Sequence, residues 1–315
     1  MAKSIRDAYG EALASLGREN EAVVVLDADV SGSTKSRLFA AACPGRFFNV
    51  GIAEANMSAM AAGMASCGKV PFVNTFAVFA ASNGLLAARS LASYSNLPVK
   101  FAGAYSGMSD AYDGPSHHAL EDIAVMRALP NFQVLVPCDA SQTAWAVQHA
   151  AENNCPTYLR LSRDVFPDIY PERTEFQVGK GRVVRQGRDI TVIACGLMLG
   201  HALTAADRLA QEGVSVRVVD MFCVKPLDEA LILSCARETG AIVSAEEHSV
   251  IGGLGGAVAE ALGRGNARVP MGFVGVNDCH GECGPYHRLQ EQYGFDAGAV
   301  VGQIRATLEK KRTIL

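Results

Sequence analysis

The chain has 315 residues, 49% of them hydrophobic and 19% charged, with a formal net charge of -4. That length supports about two domains with cores of their own. The mild acidity excludes the basic footprint of a nucleic-acid binder, and no run of about 18 apolar residues is present to span a membrane. The opening MAKSIRDAYGEAL reads as an amphipathic helix rather than a secretion signal, since no long apolar segment follows Lys3 and Arg6. Nine scattered cysteines, an odd number, read as reduced thiols of a cytoplasmic protein and not as a disulfide framework.

In chain order, short apolar runs alternate with helical periodicity, which signals an α/β fold with a mainly parallel sheet. Strands are expected over 22–28, 46–50, 70–75, 99–104, 132–137 and 156–161. Helices fill the gaps over 4–16, 53–67, 77–93, 119–128 and 139–152, the last started by Asp139 as N-cap after Pro137. Over 163–188 the texture turns polar and loses its helical period, as expected of a linker carrying a small hairpin of its own. The pattern then restarts, with strands in DITVIACG, VSVRVVD, TGAIVSAEE and VPMGFVGV and helices near 200–212, 227–237 and 254–264. The expected layout is a parallel-sheet domain over 1–165, a linker over 166–184 and a second α/β domain over 185–315. No internal repeat or low-complexity segment is evident.

Glu54 is the single charge between Phe48 and Cys67. A carboxylate buried in such a run needs a donor. Phe76 and Phe79 follow at a strand-to-helix junction, where α/β folds place their ligands. A heterocycle that is both stacked and hydrogen-bonded would suit Phe79 and Glu54; ordinary core packing and a helix-dipole carboxylate are the alternatives. Farther on, a turn-rich loop sets Asp113, His117 and His118 ahead of a helix. An imidazole near neutral pH both accepts and donates protons, although adjacent loop histidines can also be simple solvated surface.

Two features invite other readings and are set aside. IGGLGGAVAE (251–260) is glycine-rich, but it does not open a first strand–helix unit with an acid about 20 residues on, as a dinucleotide fingerprint requires. Cys279, His280, Cys283 and His287 have the donor types to cage zinc, and are read as a turn without metal.

Together VGIAEANM, NTFAVF and DGPSHHALEDIAVMRALPN resemble the transketolase family of thiamine diphosphate enzymes, with the likeness running over essentially the whole chain. The resemblance implies a pyrimidine-binding domain followed by a transketolase C-terminal-type domain. It implies that Glu54 hydrogen-bonds N1′ of the aminopyrimidine, favouring the imino tautomer that removes the thiazolium C2 proton. Phe79 would stack on the pyrimidine, Phe76 would line the pocket beside it, and Asp29 would lie near the cofactor. Ser82 stands where relatives often carry tyrosine. Asp113 would recognise the hydroxyl next to the ketose carbonyl and His117 would act on the sugar hydroxyls, with His118, also expected to bind substrate, where many relatives have glutamine. Arg6, Ser33 and Arg163 would hold a distal anion, Arg163 by a planar, bidentate grip.

Tyr105 stands where many transketolases place a phosphate-binding histidine. It brings no charge, which leaves unphosphorylated, branched, sulfonated and amino sugars open beside sugar phosphates. The Gly-Asp-Gly turn and later Asn that hold Mg²⁺ and diphosphate in the family are missing; the sole Asp-Gly pair is Asp113-Gly114. The resemblance therefore implies the C-terminal two-thirds of a single-chain transketolase, made as the small subunit of a split enzyme. An N-terminal, diphosphate-binding subunit would supply Mg²⁺ binding, in an α2β2 assembly. Other readings are the β subunit of a 2-oxo acid dehydrogenase, half of a deoxyxylulose-phosphate synthase, and a non-catalytic assembly subunit.

Overall fold

A computed structural model describes residues 3–165 and 167–314; the expected domain and linker limits at Met1, Phe166 and Leu315 lie outside the described residues. The strands in chain order are β1 (Val23–Asp27), β2 (Phe47–Asn49), β3 (Val70–Phe76), β4 (Lys100–Ala104), β5 (Gln133–Leu135), β6 (Thr157–Leu161), β7 (Arg182–Arg185), β8 (Ile190–Ala194), β9 (Val216–Asp220), β10 (Cys223–Lys225), β11 (Ile242–Ser249) and β12 (Met271–Val276). They form two sheets, ordered β10-β5-β6-β4-β3-β1-β2 and β12-β11-β8-β9-β7. Pairing is parallel except for β10 on β5 and β7 on β9.

The central strands β1, β4 and β6 are buried at every residue, as expected of parallel strands covered on both faces. Alternation then sorts their side chains into two layers. Val23 and Val25 pack with Tyr9, Leu13 and Val147 beneath helices Ile5–Glu19 and Ala140–Glu152. Val24 and Leu26 pack with Met57 and Ala61 of helix Glu54–Ser66 on the other face. Asp139 does cap its helix, accepting from the Gln142 amide at 2.8 Å. Its second oxygen accepts from the Ile169 and Tyr170 amides, which pins the linker to the first sheet.

Several expectations fail for local reasons. The helix expected over 77–93 breaks into Ala77–Ala81, Leu85–Ala87 and a π-type turn over Ala88–Ser93. At the break Ser82 Oγ donates back to the Val78 carbonyl at 2.7 Å, and Asn83-Gly84 follows. The helix expected over 119–128 starts only at Asp122, because Ala119 is drawn into an antiparallel bridge with Gly107. The linker forms no hairpin of its own; β7 pairs instead with β9. The sequence reading also lacked β10, a three-residue strand from the second half that joins the edge of the first sheet. It lacked the helices Ser31–Thr34, Arg37–Ala42, Tyr286–Tyr293 and Ala297–Ile314 as well. Among the described residues no helix is long and apolar enough to cross a membrane.

A buried polar seam joins the two halves. Arg160 on β6 donates from Nε to Asp122 at 2.8 Å and from Nη2 to the Glu247 carbonyl at 2.8 Å. Asp122 also accepts from Tyr158 Oη at 2.7 Å. Burial alone would raise the Asp122 pKa; the Arg160 guanidinium reverses this and holds it below the ordinary carboxylate range.

Candidate active site

Glu54 opens helix Glu54–Ser66 with 5% of its surface exposed. It makes no ion pair among the described residues. Its oxygens meet two neutral donors, Thr75 Oγ1 and Asn83 Nδ2, each at 3.4 Å. Both contacts are at the long limit of a hydrogen bond, so a buried carboxylate is left with unused accepting capacity.

Beside it, β3 ends in Phe76, whose ring lies 4.7 Å from that of Tyr105 at an interplanar angle of 12°. Phe79 is 6.0 Å from Phe76, and the half-buried His117 presents an edge to both rings, at 5.3 Å to Phe79 and 5.8 Å to Phe76. Tyr105 follows β4 with φ +58°, a left-handed conformation that a bulky residue adopts only when its surroundings enforce it. Those surroundings are two guanidinium groups and the Phe76 ring. Arg6 donates to Tyr105 Oη at 2.7 Å and to the Ser33 carbonyl at 3.4 Å. Arg163 lies 5.0 Å from the Tyr105 ring centroid and Arg6 lies 5.3 Å from it.

The structure thus brings Phe76, Phe79, Tyr105, His117, Arg6, Ser33 and Arg163 into one neighbourhood. Asp29 stands exposed at the end of β1 with φ +66°, held by Asn49 Nδ2 at 2.7 Å. Asp113 is exposed and leads into the short turn Gly114–Ser116 that ends at His117. His118 sits apart from the aromatic cluster: it is buried against Gly281, where a Cβ would stand 2.6 Å from its Nδ1. Neither of its ring nitrogens has a protein hydrogen-bond partner, and burial lowers its pKa.

Sequence reasoning missed two buried acids here. Asp110, fully buried, accepts from Arg163 Nη1 at 2.9 Å. Its signal was a second acid three residues before Asp113, in a loop that reads as solvated. Glu247 reaches from β11 to accept from the Met108 amide at 2.9 Å and from Tyr286 Oη at 2.6 Å. Burial raises its pKa to about 7. Nothing local in SAEEHS distinguishes it.

The two features set aside have definite structures. The glycine turn at 251–256 is filled by the chain's own Glu246, which accepts from the Leu254 and Gly255 amides at 2.6 and 2.7 Å. A phosphate would find that helix N-terminus taken. Cys279 and Cys283 are exposed, and among the described residues no three His, Cys, Asp or Glu side chains converge as a metal-holding group.

An aminopyrimidine fits Glu54 and its neighbours. The carboxylate has capacity to accept from a ring nitrogen, and Phe79 is only half-buried. Among the described residues no three His, Cys, Asp or Glu side chains stand together to hold a divalent metal.

Comparison with known proteins agrees with this division. The family model described as transketolase, pyrimidine binding domain, matches residues 1–168, and that described as transketolase, C-terminal domain, matches residues 179–300. The 6-deoxy-6-sulfo-D-fructose transketolase subunit of Clostridium sp. (strain MSTE9) is 38% identical, over 98% of this chain and 95% of its own. A solved structure described as a split gene transketolase, inactive beta4 tetramer, superposes with a TM-score of 0.90 at 47% identity, covering 99% of this chain and 100% of that one. Human transketolase is 37% identical over 97% of this chain, which spans 49% of the human protein. The expected two-thirds of a single-chain enzyme is therefore corrected to about half. A chain that carries the pyrimidine and C-terminal domains, lacks the Gly-Asp-Gly turn and matches subunit-length relatives end to end belongs to the transketolase family, as the C-terminal subunit of a split transketolase.

Proposed function

We propose that this subunit transfers two-carbon ketol units only when joined to an N-terminal subunit, with thiamine diphosphate held between the two chains. The reading is carried by Glu54, a buried carboxylate with two long, neutral contacts beside an aromatic cluster. The partner supplies the diphosphate and Mg²⁺ binding, and two copies of each chain make the assembly. Its free cysteines suit a reducing, cytoplasmic compartment.

Thiamine diphosphate, when bound, supplies the nucleophilic carbon that takes up a glycolaldehyde unit from a ketose and releases it to an aldose. Glu54 holds a proton at a pyrimidine nitrogen, where low dielectric keeps the proton shared rather than lost to water. Phe79 stacks on the ring, Phe76 walls it and Asp29 stands close by. Asp113 and His117 orient sugar hydroxyls, and the imidazole moves protons among them. His118 supports the loop that carries them. Arg6, Ser33, Tyr105 and Arg163 receive the distal end of the sugar.

The test is ketol transfer from xylulose 5-phosphate to ribose 5-phosphate, with thiamine diphosphate and Mg²⁺, by the chain alone and by the chain co-expressed with its N-terminal partner. Activity confined to the complex and lost with Glu54→Gln is the expected result. Equal activity from the Glu54→Gln complex would overturn the assignment and favour an assembly role.

A further inference from the structure

The distal end of the proposed substrate site contains two guanidinium groups, and they differ in what balances them. Arg6 makes no ion pair among the described residues; it bonds Tyr105 Oη and the Ser33 carbonyl, both neutral. Arg163 keeps 40% of its side chain exposed, yet its Nη1 is bonded to the fully buried carboxylate of Asp110. The Ser109 hydroxyl, one residue before Asp110, accepts from the Arg163 amide at 3.1 Å, so backbone and side chain of Arg163 are tied to the same loop turn. Asp110 is thus a built-in counter-ion, held within the dry side of the subsite where solvent and salt screen it least.

We propose that Asp110 sets the charge selectivity of this subsite, so that it takes a sugar whose distal end carries a single negative charge, such as a sulfonate or carboxylate, in preference to a phosphate dianion. The inference rests on the reading above that Arg6, Ser33, Tyr105 and Arg163 face the distal end. Two guanidinium groups, Arg6 and Arg163, meet two carboxyls, Asp110 and its neighbour Asp113, with Tyr105 neutral, so the chain's own acids already oppose its positive charge here. A monoanion adds little to that opposition. A phosphate monoester, with about 1.5 to 2 negative charges at pH 7, adds more. Its excess charge would face a carboxylate one guanidinium away, and a like-charge approach in a partly desolvated site costs more than the same approach in water.

Asp110 is ionised under ordinary assay conditions. Burial and the neighbouring Asp113 carboxyl raise its pKa to about 6, with Arg163 acting in the opposite sense. Among the described residues its Oδ2 meets no donor; Arg163 is its ion-pair partner, and His117 acts on it in the same sense more weakly.

A purely orienting role for Asp110, aiming Arg163 at a phosphate, makes the opposite prediction. The two are separated on the assembled complex loaded with thiamine diphosphate and Mg²⁺, at pH 8. Calorimetry would measure the binding of ribose, ribose 5-phosphate and 5-deoxy-5-sulforibose to wild type and Asp110→Asn. Transfer from hydroxypyruvate to glycolaldehyde, an acceptor with no distal group, reports the ketol reaction separately. Its absence would refute the transketolase reading without deciding the binding result. In wild type the sulfonate is expected to bind about tenfold more tightly than the phosphate, and Asp110→Asn should erase or reverse that ratio. Phosphate binding at least as tight as sulfonate binding in wild type would overturn the proposal even if the variant fails to fold. So would a selective loss of phosphate binding in Asp110→Asn.

Discussion

Two glutamates at helix N-termini divide the molecule by purpose. Glu246 reaches the start of helix Leu254–Arg264 and spends both oxygens on backbone amides at 2.6 and 2.7 Å. Glu54 starts helix Glu54–Ser66 and spends neither well, with two neutral contacts at 3.4 Å. Both are buried, at 1% and 5% exposure, so both were removed from water at a cost. In the second half that cost is offset inside the chain and the helix N-terminus is closed. In the first half it is left open, which is the gap that the proposed cofactor would fill. An acid at a helix start is therefore informative through its partners and not through its position.

The largest effect that would break this comparison belongs to Glu54. Glu54→Gln should lower ketol transfer by the assembled complex by roughly 10²–10⁴-fold, the span typical of a lost proton-handling group. The urea midpoint of the chain should hardly move, because only two weak contacts are altered. A stability loss as large as the activity loss would make Glu54 a structural acid like Glu246.

Glu246→Ala should show the converse. Two charge-assisted bonds are lost, each contributing about 1.5–3 kcal/mol, so a destabilisation of about 3 kcal/mol or more is expected. Chemical denaturation followed by circular dichroism measures it. An unshifted midpoint would mean that the glycine turn holds without its carboxylate.

Glu247, the next residue on β11, sharpens the comparison because it reaches the Met108 amide, in the loop that leads to Asp113 and His117, instead of its own helix. Folded, it titrates near 7; the ordinary value is 4.5. A pKa raised by folding means that the folded chain holds the proton more tightly. The resulting stabilisation is fully present below 4.5 and is lost as the pH rises through 7. Between pH 5 and 8 the wild type should lose roughly 1–3 kcal/mol that Glu247→Gln does not. Urea midpoints of the two chains at both pH values test this; parallel curves would place the Glu247 carboxyl in ordinary surroundings.

How much of this could be read from residues alone depends on the range over which each signal acts. The parallel sheets came from apolar runs such as AVVVLDA and DITVIACG, where burial on both faces writes itself directly into composition. The neighbourhood of Phe76, Phe79 and His117 was legible because strand ends carry ligands in α/β folds. Strand β10 was not, since three residues show no period and its partner β5 lies some 90 positions earlier. The unbroken helix over 77–93 was misread because one serine hydroxyl bonding back to Val78 decides its end. Asp110 and Glu247 escaped for a related reason. Each is defined by a contact distant in sequence, to Arg163 in one case and to Met108 in the other, and no local pattern encodes such a pair.

The smallest expected effect belongs to a glycine beside Glu54, and its counterpart beside Glu246 shows how much a steric conflict adds. Gly51 has φ +73° and open space where a Cβ would stand, so Gly51→Ala meets nothing and incurs only the left-handed backbone penalty, about 1–2 kcal/mol. Gly253 lies at φ -79° and ψ -141°, outside the regions that other residues favour, and a Cβ there would also stand 2.0 Å from Glu246 Oε2. Gly253→Ala must displace the Glu246 carboxylate and should approach the loss expected for Glu246→Ala. Combining Gly253→Ala with Glu246→Ala should then cost less than the sum of the two, because the closest clash goes with the carboxylate and only that with His248 Nδ1, at 2.6 Å, remains. Gly51→Ala combined with Glu54→Gln should be additive in stability, since no side chain of Glu54 occupies the space near Gly51. Additivity at both pairs would show that Glu246 is free to move aside, and that the glycine turn does not need it in place.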